Sequence, residues 1–152
     1  MPDAFVLRRN DSFPKFLLNA CGAVSTDTMH RIKFHPGYDK EKVLLSYYNS
    51  ISLAFTEICG RSYGGGVLEI LPRELGNVLL PDLSGFSSKR TKKLLQLIDD
   101  EIRKNGNGNF DKVLDIVDRE VLVNYIGITE ETCEKFREIW KTLMDRRRGR
   151  SQ

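Results

Sequence analysis

The chain is poor in the residues that staple, ligate or span. Cysteine occurs three times, at Cys21, Cys59 and Cys133. An odd number, widely separated and without a Cys-x-x-Cys pair, gives no disulfide framework and no zinc ribbon, and suits a reducing compartment. The two histidines, His30 and His35, have no carboxylate at metal-ligand spacing, so no metal site is expected. No apolar run is long enough to span a bilayer, and none near the start resembles a signal peptide. A cytoplasmic location without a membrane partner is therefore expected. The net charge of +3 over 152 residues excludes a grossly basic coat, so any basic surface has to be gathered by the fold.

Enzyme signatures are missing as well. No Gly-x-Gly-x-x-Gly follows a strand pattern, so no dinucleotide fingerprint is present. The glycines of Gly60-Arg61-Ser62-Tyr63-Gly64-Gly65-Gly66 lack the Gly-Lys-Ser/Thr of a phosphate loop, and they follow a helix pattern and precede a strand, the reverse of that motif's order. No serine sits in a nucleophile elbow. Asp99, Asp100 and Glu101 read as a solvated helix face.

What remains is a mixed domain. Residues 4–8 and 15–19 are short apolar runs. Residues 23–34 are rich in β-branched residues, and their tail alternates from Met29 to Phe34, so a hairpin or meander is expected. Pro36-Gly37 ends it. Asp39 caps a helix with Glu41 in its first turn. Val43, Leu44, Tyr47, Ile51, Ala54, Phe55 and Ile58 form its buried stripe, and Gly60 closes it. A glycine loop and a strand over 67–70 follow, then a short helical turn at Pro72.

From about residue 84 the pattern is helical. Ser87 or Ser88 caps a helix running to Arg103, with Leu94, Leu95, Leu97 and Ile98 inward. Residues 105–109 form a loop, and 110–125 form a second helix that buries Val113, Leu114, Ile116, Val117 and Val121. Thr129 starts a third helix that ends in the arginine run 146–150. The expected class is α+β. Residues 1–83 form an N-terminal β-meander with a central helix, and residues 84–152 a C-terminal segment of about three helices, the two meeting as one unit.

Three consecutive glycines are entropically unfavourable unless bare backbone is needed. A turn requiring positive φ and a loop that meets a large partner both explain them. Arg61, Ser62 and Tyr63 are side chains suited to phosphate and base edges, and glycine amides can reach phosphate oxygens. Ser25-Thr26-Asp27-Thr28 offers short hydroxyls, although plain β propensity accounts for that run.

Several blocks together resemble a known family. These are Ala20-Cys21-Gly22-Ala23-Val24-Ser25-Thr26-Asp27-Thr28-Met29-His30-Arg31, Tyr48-Asn49-Ser50, Gly60 to Glu69, Pro72-Arg73-Glu74-Leu75 and Leu79-Leu80-Pro81. Their order and spacing resemble the C-terminal target recognition domain of adenine-specific (N6) DNA methyltransferases from bacterial restriction-modification systems. The glycine catalytic-domain motif for S-adenosyl-L-methionine and the catalytic Asn-Pro-Pro-Tyr of complete family members do not occur here.

The resemblance thus implies an excised recognition domain with no catalytic residue and no cofactor of its own. It grips double-stranded DNA while a separate methyltransferase catalytic domain, carrying S-adenosyl-L-methionine, acts on an adenine turned out of the helix. It implies DNA contacts from Thr26, Thr28, His30 and Arg31 and from Arg61, Ser62, Tyr63, Gly64, Gly65 and Gly66, with a restriction endonuclease as a further partner. The alternative is an assembly module whose helical half docks on another subunit of a restriction-modification complex.

Overall fold

The computed structural model describes residues 1–105 and 110–149. The strands form two small antiparallel sheets. β1 (Ala4–Leu7) is central in the first, between β3 (Phe16–Leu18) and β4 (Met29–Ile32). β2 (Arg9–Asn10), β6 (Val67–Glu69) and β5 (Arg61–Tyr63) form the second, in that order. Helices α1 (Lys40–Tyr47), α2 (Ser50–Cys59) and α3 (Pro72–Leu75) interleave with the strands. The rest is α4 (Ser88–Asn105), α5 (Asp111–Val117), a π-helical segment (Asp118–Ile126) continuous with α5, and α6 (Glu130–Gly149). The class is α+β, with several C-terminal helices, as the sequence predicts.

One core joins both parts of the chain. Phe13, Leu45, Tyr48 and Leu53 from the first part pack with Leu94, Leu114, Val117 and Trp140 from the second, and all are buried. Burying such side chains contributes roughly 1.5–3 kcal/mol each before entropy is counted.

The structure corrects several element expectations. The helix predicted from Asp39 to Ile58 is two helices, broken at Tyr48 and Asn49. Asn49 leaves helical geometry (φ −147°, ψ 163°) and its side chain accepts from Ser52 N at 2.9 Å. Asparagine favours this cap position because its short side chain replaces the missing backbone partner. The apolar stripe runs unbroken across the junction and conceals it. The break also rotates the buried face: Leu45 and Leu53 are fully buried, whereas Ile58, expected in the stripe, is exposed.

Only Met29–Ile32 of the β-rich stretch 23–34 pairs as a strand, because Asp27 and Thr28 form a turn. The helix predicted over 110–125 widens to a π-helix from Asp118, and Gly127 ends it at φ 93°. Ile116, expected to be buried, is exposed. β2 and β5 are two and three residues long, too short to give a periodicity signal. Of the stretch 105–109 expected as a loop, Asn105 ends α4 and the rest lies outside the described residues, as does the end of the arginine run.

Candidate nucleic-acid interface

The two blocks of predicted contacts, some thirty residues apart in sequence, meet through one residue that neither contains. Arg8 is the step where β1 hands over to β2. Its amide donates to Thr28 O at 3.2 Å, and its carbonyl accepts from Ile70 N at 3.1 Å. Thr28 opens onto β4, and Ile70 follows β6, whose other neighbour is β5. His30 reinforces the junction: its Nε2 donates to the Ile70 carbonyl at 2.8 Å. His30 is thus half-buried and tied between the sheets, while Arg31, next on the strand, is exposed.

In the second sheet Glu69 lies opposite Arg9 on one side and Arg61 on the other. Directly opposed residues share a face, and residues two apart on a strand do too. Arg9, Arg61 and Tyr63 therefore stand on one face with Glu69, while Leu68 turns inward and is buried. Arg8 bonds Glu69, and Arg61 Nε donates to Glu74 Oε1.

Exposure decides the sign of this face. The side chains of Arg8, Arg9 and Arg61 are 44%, 71% and 58% exposed, whereas Glu69 and Glu74 are 3% and 14% exposed. The cations are outermost and the acids lie beneath them. Glu74 also accepts from Leu71 N at 3.0 Å. That bond, with Arg61 beside it, holds the Glu74 carboxyl below its ordinary value.

The glycine hairpin closes this sheet. Tyr63 pairs with Val67, so Gly64, Gly65 and Gly66 are the three-residue loop. Gly65 and Gly66 adopt φ 84° and 72°, where side chains are strained. Gly66 has a second reason to be glycine, since a Cβ there would lie 3.0 Å from both Arg147 O and Arg148 Cα. Gly64 faces open space and has no positive φ. The turn and close-approach explanations thus divide between positions, and the approaching backbone at Gly66 is that of α6.

Arg147 holds this contact. It is buried and donates to Gly66 O at 2.5 Å, Asp11 O at 2.6 Å and Ser12 O at 2.8 Å. Its Nη2 and Nε also donate to the two carboxyl oxygens of Glu57 on α2, at 2.7 and 3.1 Å. One of the three glycines of the hairpin is thus closed off by protein. Thr26 and Thr28 are exposed, and their hydroxyls lie 3.0 Å apart. Ser62 is exposed beside Leu68 in the ladder.

Sequence reasoning missed Arg8, Arg9 and Arg147. The first two are visible as a charged pair that interrupts an apolar strand run. Arg147 is hidden in a run of arginines that reads as solvated.

Burial pushes the Cys133 thiol up to about 11, so it stays protonated near neutral pH. No group of acids, histidines and cysteines among the described residues forms a metal site. An open groove of about 630 Å³ runs between residues 33–46 and 80–84, edged by Tyr38 and Leu80. No helix among the described residues is long and apolar enough to cross a membrane.

The structure defines a small α+β domain with a basic sheet face. The family described as "Type II methyltransferase M.Eco57I, C-terminal domain" matches residues 1–122, and the chain belongs to it. No curated protein and no solved structure matches the chain. The matched region ends within the π-helical segment, so α6, which supplies Arg147 and Trp140, lies beyond it.

Proposed function

We propose that this domain is the DNA-gripping, target-recognising part of an adenine-specific N6-methyltransferase. It positions duplex DNA for a catalytic domain that holds S-adenosyl-L-methionine. The observation that carries this reading is the face on which Arg8, Arg9 and Arg61 stand outermost, with the less exposed Glu69 and Glu74 below and Tyr63 alongside. Such an arrangement suits a phosphate backbone, whose neutralisation releases counterions and dominates affinity.

Tyr63 and Arg61, at the root of the glycine loop, are the candidates to touch bases, since arginine pairs bidentately with guanine in the major groove. Thr26, Thr28 and Arg31 extend the face past Arg8. The catalytic domain, and a restriction endonuclease in the same system, are the protein partners of this reading.

Fluorescence anisotropy of a labelled random-sequence duplex, titrated with the domain at two salt concentrations, tests it. Affinity should fall steeply with salt and weaken in Arg61→Ala. Absence of binding to the duplex at low salt defeats the reading.

A further inference from the structure

The outer face of α4 carries a second cation array, separate from the sheet face. Lys89, Lys92 and Lys93 are exposed and have no ion pair or hydrogen bond among the described residues. Their spacing places all three on one side of the helix, opposite the buried Thr91, Leu94 and Ile98. Arg90, turned toward the core edge, differs: it donates to Glu120 at 2.9 Å and lies over the Phe86 ring. The three lysines are therefore the uncompensated part of the cluster.

Their placement is unfavourable for the helix itself. Lys89 and Lys93 are like charges four apart, and Lys89 and Lys92 three apart, so they repel. Lys89 also stands in the first turn of α4, where the dipole disfavours cations. No acid precedes Asp99 on α4, whereas Asp99, Asp100 and Glu101 crowd its second half. A face that serves only solvation gains by exchanging these two groups. Local rules broken in this way are expected where a partner compensates them.

We infer that the Lys89, Lys92 and Lys93 face binds the phosphate backbone of duplex DNA outside the segment held by the sheet face. This inference rests on the DNA-binding reading above. The choice of occupant follows from charge complementarity. The helix rises 1.5 Å per residue, so Lys89 and Lys93 are about 6 Å apart along its axis, a distance over which duplex DNA presents roughly three to four phosphate charges. Lysine suits such contact because its ammonium is a flexible point charge that needs no fixed geometry.

The test compares wild type, the triple variant Lys89→Gln/Lys92→Gln/Lys93→Gln and Arg61→Ala on a labelled 30-base-pair duplex across a salt series. These surface lysines make no buried contact, so the triple variant keeps the fold, which circular dichroism checks. The triple variant should bind at least ten-fold more weakly at low salt, and its log–log salt slope should flatten by about 2.7, the value for three lost phosphate contacts.

An unchanged affinity and slope in the triple variant, with Arg61→Ala impaired, overturns this inference and leaves the sheet-face reading standing. The reverse pattern sustains the α4 contact and removes the sheet face from the DNA. If wild type shows no binding at low salt, both fail.

Discussion

Arg147, two residues from the end of the described chain, makes a bidentate ion pair with Glu57 in the middle of the molecule, and both side chains are 3% exposed. The remaining donors of Arg147 go to three carbonyls, one of them in the glycine hairpin. Breaking a buried pair by removing one partner leaves an uncompensated charge. Arg147→Met should destabilise the domain by about 3–5 kcal/mol in urea denaturation. Burial pushes the Glu57 carboxyl above its ordinary 4.5, and Arg147 pulls against that rise. Without Arg147 the shift grows. A carboxyl raised in the folded state binds more protons there than in the unfolded chain, so stability falls as pH rises above 4.5. The variant's deficit should therefore be smaller at pH 5 than at pH 7.

The glycines of the hairpin should separate by position. Gly66→Ala places a Cβ 3.0 Å from the α6 backbone at a residue with φ 72°, so it should lower stability by more than about 1 kcal/mol. Gly64→Ala meets open space and should leave the denaturation midpoint unchanged. A midpoint shift in Gly64→Ala equal to that of Gly66→Ala contradicts this division.

The legibility of the sequence followed the same line between local and distant causes. Caps, turns and long amphipathic helices could be read because their signals lie within a few residues: Asp39 does cap α1 through Glu41 N and Lys42 N. The break at Asn49 was concealed because the residue types on both sides continue the stripe. Sheet pairing across sixty residues, which gives Arg9 and Arg61 the same neighbour in Glu69, leaves no local trace. The family resemblance points to the glycine block and the Thr26–Arg31 block, but that Arg8 joins them shows only in its two backbone bonds. The Tyr48-Asn49-Ser50 block has a structural explanation. Tyr48 OH bonds both Phe16 N and Phe16 O, at 2.9 and 3.0 Å, Asn49 caps α2, and Ser50 donates to Asp118.

Asp118 joins α2, the π-helical segment and α6. It accepts from Ser50 N at 3.0 Å and Ser50 Oγ at 2.5 Å, at the start of α2, and from Arg137 Nη2 at 2.9 Å. Asp118→Ala removes a cap and one of the two carboxylates paired with half-buried Arg137, the other being Asp115. A loss of about 1–3 kcal/mol is expected. Asp118→Asn, which keeps an acceptor for Ser50, should lose less. Equal losses would mean that the charge of Asp118 carries the whole effect and that the acceptor it offers Ser50 contributes nothing.

Asp3 fastens the first sheet to α1. Its carboxylate accepts from Lys40 Nζ at 2.6 Å and from Phe34 N at 3.0 Å, with Lys33 Nζ at 3.5 Å. The Lys40 and Phe34 bonds, with the charge of Lys33, lower its pKa from 3.8 to about 2. A carboxyl depressed in the folded state gives stability that is present above 3.8 and lost as pH falls through about 2. Nuclear magnetic resonance titration should place Asp3 well below the exposed aspartates. In Asp3→Asn, the part of acid sensitivity that lies in this window should disappear.

Arg61 is exposed but not free, because Glu74 lies beneath it and is itself anchored by Leu71 N at 3.0 Å. If the sheet face meets phosphate, Glu74 both orients the guanidinium and subtracts from its charge. Glu74→Gln keeps the bond to Leu71 N and removes the negative charge, so it should raise DNA affinity several-fold at low salt, whereas Arg61→Ala lowers it. The two effects should shrink together as salt rises, since both are electrostatic and screened. The double variant distinguishes orientation from charge. If Glu74 acts only through Arg61, Arg61→Ala/Glu74→Gln binds no better than Arg61→Ala. If its charge repels the duplex directly, the gain from Glu74→Gln survives in the Arg61→Ala background.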